Sequence, residues 1–229
     1  MSNATIITFA SSKGGVGKST CCLSIAGALA ARCSAVHIID FDLTRTLHRW
    51  YTTNNPPIPN LTVEAATEAN FLQRIKANFF FDGFLLIDVA GHYNELMLRA
   101  SAIAGLAITP SKLNEPDLIE ASKLRRRIVE LAHEAGKPAV EHRVLVNELP
   151  SSLSGHHVDA LQQLTSSVTL TRFNTLVSTR GAYSEAYVTG LPPHFANQKR
   201  SSIRSATMEI DALTDEILSI LNQTEALAA

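Results

Sequence analysis

The sequence predicts an α/β fold, a mostly parallel central sheet with helices on both faces. Three observations predict it. Short apolar runs alternate along the chain with longer segments of helical periodicity. Runs such as Phe84-Leu85-Leu86-Ile87 have no polar face, as expected of strands covered on both sides. A glycine-rich turn, Gly14-Gly15-Val16-Gly17, stands between the first strand-like run and the first helical one. Such a turn aims backbone N–H groups and a helix dipole at an anion.

Taken in order, Ile6 to Ala10 reads as the first strand. Ser19 to Arg32 reads as a helix rich in Ala and Leu, and Ala35 to Asp40 as the second strand. Leu61 to Ala65 is a short strand, followed by a helix through Phe71, Leu72 and Ile75. Phe84 to Asp88 and Gly105 to Thr109 are strands. Pro116 opens a long helix that ends near Gly136-Lys137-Pro138. Its apolar stripe is Leu118, Ala121, Leu124, Ile128, Leu131 and Ala132. Val144 to Asn147 and Val168 to Leu170 read as further strands, and helices over Gly181 to Thr189 and Ser201 to Leu221 follow. The Pro-rich bits Asn55-Pro56-Pro57 and Leu191-Pro192-Pro193 read as loops. With no internal repeat, one domain over residues 1–229 is the economical organisation.

Composition narrows the classes. Of 229 residues, 45% are hydrophobic and 18% charged, which excludes a disordered or fibrous chain. The net charge is −1, so any nucleic-acid binding must come from a local patch. Cys21, Cys22 and Cys33 make no C-x-x-C pair and read as reduced thiols of a cytosolic protein. Met1 to Ser12 reads as a strand running into the loop, with nothing that looks removable. No apolar stretch approaches the roughly 20 residues that span a bilayer. The segment Leu221 to Ala229 has no Lys, Arg or aromatic residue, so stable membrane association is not expected.

The loop reads Lys13-Gly14-Gly15-Val16-Gly17-Lys18-Ser19-Thr20. Its N–H groups can cradle phosphates, Lys18 can reach the β- and γ-phosphates, and the Ser19 hydroxyl suits Mg²⁺. Ser12 stands where the usual P-loop pattern has its first glycine, and a second lysine, Lys13, precedes the glycines. At these residues the chain resembles the ParA/MinD family of deviant-Walker P-loop ATPases, with signature Lys-Gly-Gly-x-Gly-Lys-Ser/Thr. The resemblance implies Mg-ATP as ligand and an ATP-dependent homodimer. In such a dimer Lys13 reaches phosphates across the interface.

Carboxylates at strand ends extend the resemblance. Asp40 and Asp42 close the second strand and Asp88 closes the buried one, where open α/β sheets meet ligands. By resemblance Asp42 positions the attacking water, and Asp40 and Asp88 stand near the metal's water shell. Each alone is also compatible with a helix N-cap. Asn147 matches the position that reads adenine in the family; it also suits a plain turn. Ser184-Glu185-Ala186 with Gly190-Leu191-Pro192 is similar to the family loop that lines the base, which implies a base contact for Pro192. The chain departs from the family at Leu43-Thr44-Arg45 and at Val89-Ala90-Gly91-His92. The segment Asp42 to Trp50 looks more like the short ParA branch that includes VirC-type proteins of DNA transfer.

Lys199, Arg200 and Arg204, with Arg172 and Arg180, are candidates for the non-specific DNA contacts that the resemblance implies; a solvated helix face fits them equally. Arg125-Arg126-Arg127 cannot all face one way, and His92, His156 and His157 lack metal-ligand spacing. Iron–sulfur relatives need late cysteines, which are absent after Cys33. MinD carries a basic amphipathic tail and the larger ParA branch an N-terminal DNA-reading domain, neither of which is expected here. The expectation is a slow ATPase for plasmid or chromosome partition, cytoplasmic and nucleoid-associated when ATP-bound, working with a small ParB-like adaptor. The alternatives are an accessory ATPase for conjugative or T-DNA-like transfer or cargo positioning, and a metabolic P-loop synthetase.

Overall fold

Alternation along each strand decides where the core lies. Ile7 and Phe9 point into one apolar cluster with Ile38, Leu86, Leu106, Ile108 and Leu145. Their neighbours Ile6, Ile39, Leu85, Ile87 and Ala107 point into a second cluster on the opposite face. Both faces are therefore buried, as the continuous apolar runs require. The computed structural model describes residues 4–92 and 94–228, so Met1 to Asn3 of the expected N-terminal strand segment and Ala229 lie outside the described residues.

The strands are β1 (Thr5–Phe9), β2 (Val36–Asp40), β3 (Leu61–Ala65), β4 (Phe84–Asp88), β5 (Leu106–Ser111) and β6 (Glu141–Val146). They form one six-stranded sheet in the order β3-β2-β4-β1-β5-β6. Every pairing is parallel. The helices are α1 (Lys18–Ala31), α2 (Thr46–Asn54), α3 (Phe71–Asn78), α4 (Glu95–Ala102), α5 (Glu115–Glu134), α6 (Gly155–Ser166), α7 (Gly181–Thr189) and α8 (Ser201–Ala228). α1, α2, α7 and α8 feed the first cluster, while α3, α4 and α5 feed the second. α6 packs with β6 and part of α5 in a third.

Val168 to Leu170 is not a strand, which corrects the sequence expectation. Ser167 Oγ accepts from the N–H groups of Thr169 and Leu170, so a side chain takes the donors that a ladder would need. Val168 stands fully exposed. Three helices gave no sequence expectation, and their caps explain why. α4 starts at Asn94, which accepts from Met97 N, and α6 at Ser154, boxed with His157 where Glu or Gln is the usual partner. α2 has no cap of its own, because Arg45 before it is in the left-handed region. Asp40 Oδ2, upstream on β2, accepts from Leu47 N and His48 N and caps it from a distance.

α8 is anchored by its acids. Asp211 and Asp215 hold Arg32 at the end of α1, and Asp211 also meets His194. Glu216 accepts from the N–H groups of Asn174 and Thr175. α8 thus staples the α1 face and the loop before α7.

His142 lies inside β6 with Nε2 2.8 Å from Thr109 Oγ1. Burial, and then the charge of Arg125, push its imidazole down to about 3 from 6.5. A depressed histidine contributes stability that is complete above its unfolded pKa and is lost as pH falls toward its folded one. Between about pH 6.5 and 3 the protein should lose roughly 1.4 kcal/mol of stability per pH unit through this residue. Denaturant titrations across that range check it, and His142→Gln should flatten the slope. An equally steep slope in the variant would assign the acid sensitivity elsewhere.

Candidate functional site

The parallel register brings the motif residues to one edge of the sheet. Asp88 at the end of β4 is the register partner of Phe9 on β1 and of Asp40 on β2. The loop after β1 therefore rises beside the strand-end carboxylate of β4, with that of β2 one strand further on, in the crevice where this architecture binds ligands.

The loop itself is a cavity of about 310 Å³. Its wall is Gly14, Gly15, Gly17, Lys18, Ser19 and Thr20, closed by Asp42, Thr46, Gly91 and Tyr187. Gly17 has φ 86° and caps α1. A Cβ there would lie 2.2 Å from Asn147 Nδ2, so only glycine fits. Gly91 is tight without a special backbone angle: a Cβ would fall 3.0 Å from Gly14 Cα and 3.1 Å from Lys13 O, and 2.7 Å from the mobile Lys18 Nζ. The Val89-Ala90-Gly91 departure from the family pattern thus ends in a residue that lets its loop lie against the phosphate cradle.

Lys18 is buried at the first turn of α1, only 7% exposed, and Nζ donates to Lys13 O at 3.0 Å. Burial lowers its pKa, opposed by the charges of Asp88 and Asp42. Ser19 Oγ donates to Asp88 Oδ2 at 2.5 Å. Asp88 is 1% exposed and its Oδ1 has no hydrogen-bond partner. Burial chiefly, then the charges of Asp40 and Asp42, raise its pKa to about 8, against the Ser19 hydrogen bond and Lys18. A buried carboxylate with an orphaned oxygen, beside a hydroxyl, is an incomplete cation site. Among the described residues no three His, Cys, Asp or Glu form a metal cage. Mg²⁺ needs none, since it takes one or two protein oxygens plus substrate phosphates.

The other predicted residues divide. Asp42 lines the cavity, with Oδ1 accepting from Thr44 N (2.8 Å) and Thr44 Oγ1 (2.7 Å). Asp40 does not line it, and its oxygens accept from the N–H groups of Asp42, Leu47 and His48. The structure gives Asp40 the work of a helix cap, one strand away from Asp88. Lys13 is half-buried beside Glu120, whose pKa its charge helps to lower, and shapes the loop through its carbonyl. Val16 is buried under the loop, and its carbonyl accepts from Asn147 Nδ2 at 2.8 Å.

A second cavity, about 230 Å³, is walled by Asn147 and Glu148 after β6, Ser178 to Arg180, Tyr183, Ser184 and Tyr187 of α7, and Thr20. Thr20 and Tyr187 belong to both walls, so the cavities abut there. Asn147 is thus placed at the second cavity. Pro192 lines neither; it is buried with its ring 2.9 Å from where a Cβ on Gly27 of α1 would sit, so it packs against that helix. Thr46, Gly91, Tyr183 and Tyr187 are wall residues that sequence reasoning missed. The spacing Asp88-x-x-Gly91 was the one signal available.

The basic candidates are mostly engaged. Arg200 forms a two-pronged pair with Glu185, at 2.7 and 2.9 Å, and Arg180 pairs with Glu209. Arg172 donates to Thr165 Oγ1 and Phe173 O, and Arg204 to the carbonyls of Gln198 and Lys199. Lys199 is exposed in the turn just before α8.

With the geometry in place, comparison with known proteins is direct. The family model described as VirC1 protein matches residues 4–226. The chain belongs to the VirC1 protein family. A protein named ParA from Rhizobium radiobacter is 24% identical over 222 residues, 97% of this chain and 99% of that protein. The virC1 protein of the same organism is 32% identical over 131 residues, 55% of this chain and 57% of its own length. A plasmid partition protein of Borrelia burgdorferi bound to AMPPNP superposes with TM-score 0.69 at 14% identity, covering 96% of this chain and 99% of that one. A Cyanothece McdA variant in complex with ATP gives 0.73 at 13%, covering 95% and 97%. MinD from Aquifex aeolicus gives 0.63 at 20%, covering 94% and 98%. The resemblance read from Lys13 to Thr20 holds: the VirC1 family chain has the fold of ParA/MinD-type ATPases. No helix of the described residues is long and apolar enough to cross a membrane.

Proposed function

We propose that this VirC1-family protein binds Mg-ATP in the Lys13–Thr20 cradle, dimerises on it, hydrolyses it slowly and binds DNA without sequence preference in that state. The observation that carries the reading is the convergence of Lys18, Ser19, Asp42 and Asp88 on a glycine cradle at the N-terminus of α1. The triphosphate lies on the N–H groups of the loop, and Lys18 leaves the Lys13 carbonyl for the β- and γ-oxygens. Ser19 and the free oxygen of Asp88 would hold Mg²⁺, which would supply positive charge against those phosphate oxygens. Asp42, fixed by Thr44, orients the attacking water. The nucleoside end extends past Thr20 and Tyr187 into the second cavity, where the Asn147 carboxamide meets the base. Lys13 serves the partner's phosphates in the dimer.

The task proposed is plasmid or chromosome partition with a ParB-like adaptor, in the cytoplasm and on the nucleoid when ATP-bound. The full-length similarity to a ParA supports it. The match of the VirC1 model over residues 4–226 favours, as second reading, an accessory ATPase for DNA transfer. Both readings need DNA binding gated by ATP; a metabolic synthetase does not. Filter binding to non-specific duplex DNA across a salt series, with and without ATP, tests this. ATP should turn binding on, and Lys199→Glu with Arg204→Glu should reduce the log–log salt slope by about one unit per lost phosphate contact. No DNA retained with ATP would move the protein to the metabolic alternative.

A further inference from the structure

We propose that Glu209 of α8 is a positioning residue for the nucleoside end of the ligand; this rests on the ATP-site reading above. The carboxylate is 11% exposed and lines neither cavity. It gathers donors from three residues that wall the second one. Ser178 donates from N (3.1 Å) and Oγ (2.7 Å), Arg180 from Nε and Nη2 (both 3.2 Å), and Tyr183 from its hydroxyl (2.5 Å). One acid thus fixes the loop before α7, the residue that opens α7, and the first turn of α7.

Charge makes that arrangement specific. Arg180 faces the cavity, and its guanidinium is neutralised and oriented from behind by Glu209. A carboxylate offers about four lone-pair sites, so these five N–H and O–H donors saturate it, three of them sharing Oε2. A glutamine would present one acceptor oxygen and two unwanted N–H donors. Ser178, Arg180 and Tyr183 would then compete for it, and Arg180 would be freed to enter the space meant for the ligand. The phosphate cradle has its own support, the Asn147 bond to Val16, which Glu209 does not touch.

α2 supplies a reporter of α7. Trp50, the single tryptophan, donates from Nε1 to Ala186 O at 3.0 Å, between Tyr183 and Tyr187. A displaced α7 should therefore change Trp50 emission.

The experiment compares two probes, ATP and inorganic tripolyphosphate, both with Mg²⁺, by calorimetry. The wild type should bind ATP more tightly than tripolyphosphate, since only ATP fills the second cavity. Glu209→Gln should weaken ATP about tenfold and leave tripolyphosphate within about twofold, the scale of one or two charge-assisted hydrogen bonds. Its ligand-free Trp50 emission should shift. Tyr183→Phe removes one donor and keeps the packing; it should weaken ATP about threefold with the same selectivity, and it carries the test if Glu209→Gln does not fold. Equal loss for both probes would reduce Glu209 to a fold-stabilising role and overturn the proposal, as would unchanged ATP affinity in a folded Glu209→Gln. Equal wild-type affinity for the two probes would overturn it while sparing the phosphate cradle. A wild type that binds neither probe would overturn the ATP-site reading itself.

Discussion

Lys18→Ala is expected to bind ATP at least about 100-fold more weakly than the wild type, because each charge-assisted hydrogen bond to a phosphate contributes roughly 1.5–3 kcal/mol. The side chain is buried at the head of α1, and burial already disfavours its charge in the free protein. Its one hydrogen bond, to the Lys13 carbonyl, is to a half-buried backbone group that water can serve instead. The variant should therefore fold and melt within a few degrees of the wild type. Calorimetry with Mg-ATP reads the loss, and a melt beside it shows that the fold is intact. A folded Lys18→Ala protein with wild-type affinity would remove the loop from the binding site.

Asp42→Ala should keep ATP and lose turnover by about 100-fold or more, the usual scale for a group that positions or activates the nucleophile. Thr44 holds one carboxylate oxygen through N–H and hydroxyl, which fixes the side chain on the cavity wall. The carboxylate retains capacity to accept from a water. Removing it also removes a negative charge beside the phosphates, so ATP affinity should hold or rise slightly. Phosphate release reads the first effect, and light scattering should show the ATP-bound dimer accumulating. Unchanged turnover would assign the water to another residue. Kinetics that fall together with ATP affinity would make Asp42 a ligand-binding group instead.

What could be read from the chain follows from how local each feature is. The cradle was legible because its parts are contiguous, from Lys13 to Thr20, and the strand and helix that frame it are adjacent in sequence. Asp42 and Asp88 were legible because strand ends in a parallel sheet share one edge, and the register of β4 with β1 and β2 delivers that. Asp40 was ambiguous because a strand-end carboxylate looks the same whether it serves a metal or a helix. Only the fold shows that its Oδ2 caps α2. The packing of Pro192 was hidden for a similar reason, since its partner Gly27 lies on α1, far off in sequence. Tyr183 and Tyr187 read as ordinary helix residues until α7 is laid against Thr20 and Glu209. Glu209 itself sits on a helix of mixed polar and apolar residues, where a glutamate signals only a solvated face. The basic cluster was visible as charge, but sequence could not show that Glu185 and Glu209 already engage two of its arginines.

The most direct measurement is titration calorimetry of the wild-type protein with ATP, first with Mg²⁺ and then with excess EDTA. The expected result is one ATP per chain, bound more tightly with Mg²⁺, because the free Asp88 oxygen and the Ser19 hydroxyl gain their cation only then. Absence of binding heat with Mg-ATP, confirmed by a melting temperature that ATP leaves unchanged, would contradict a nucleotide site in the Lys13–Thr20 loop.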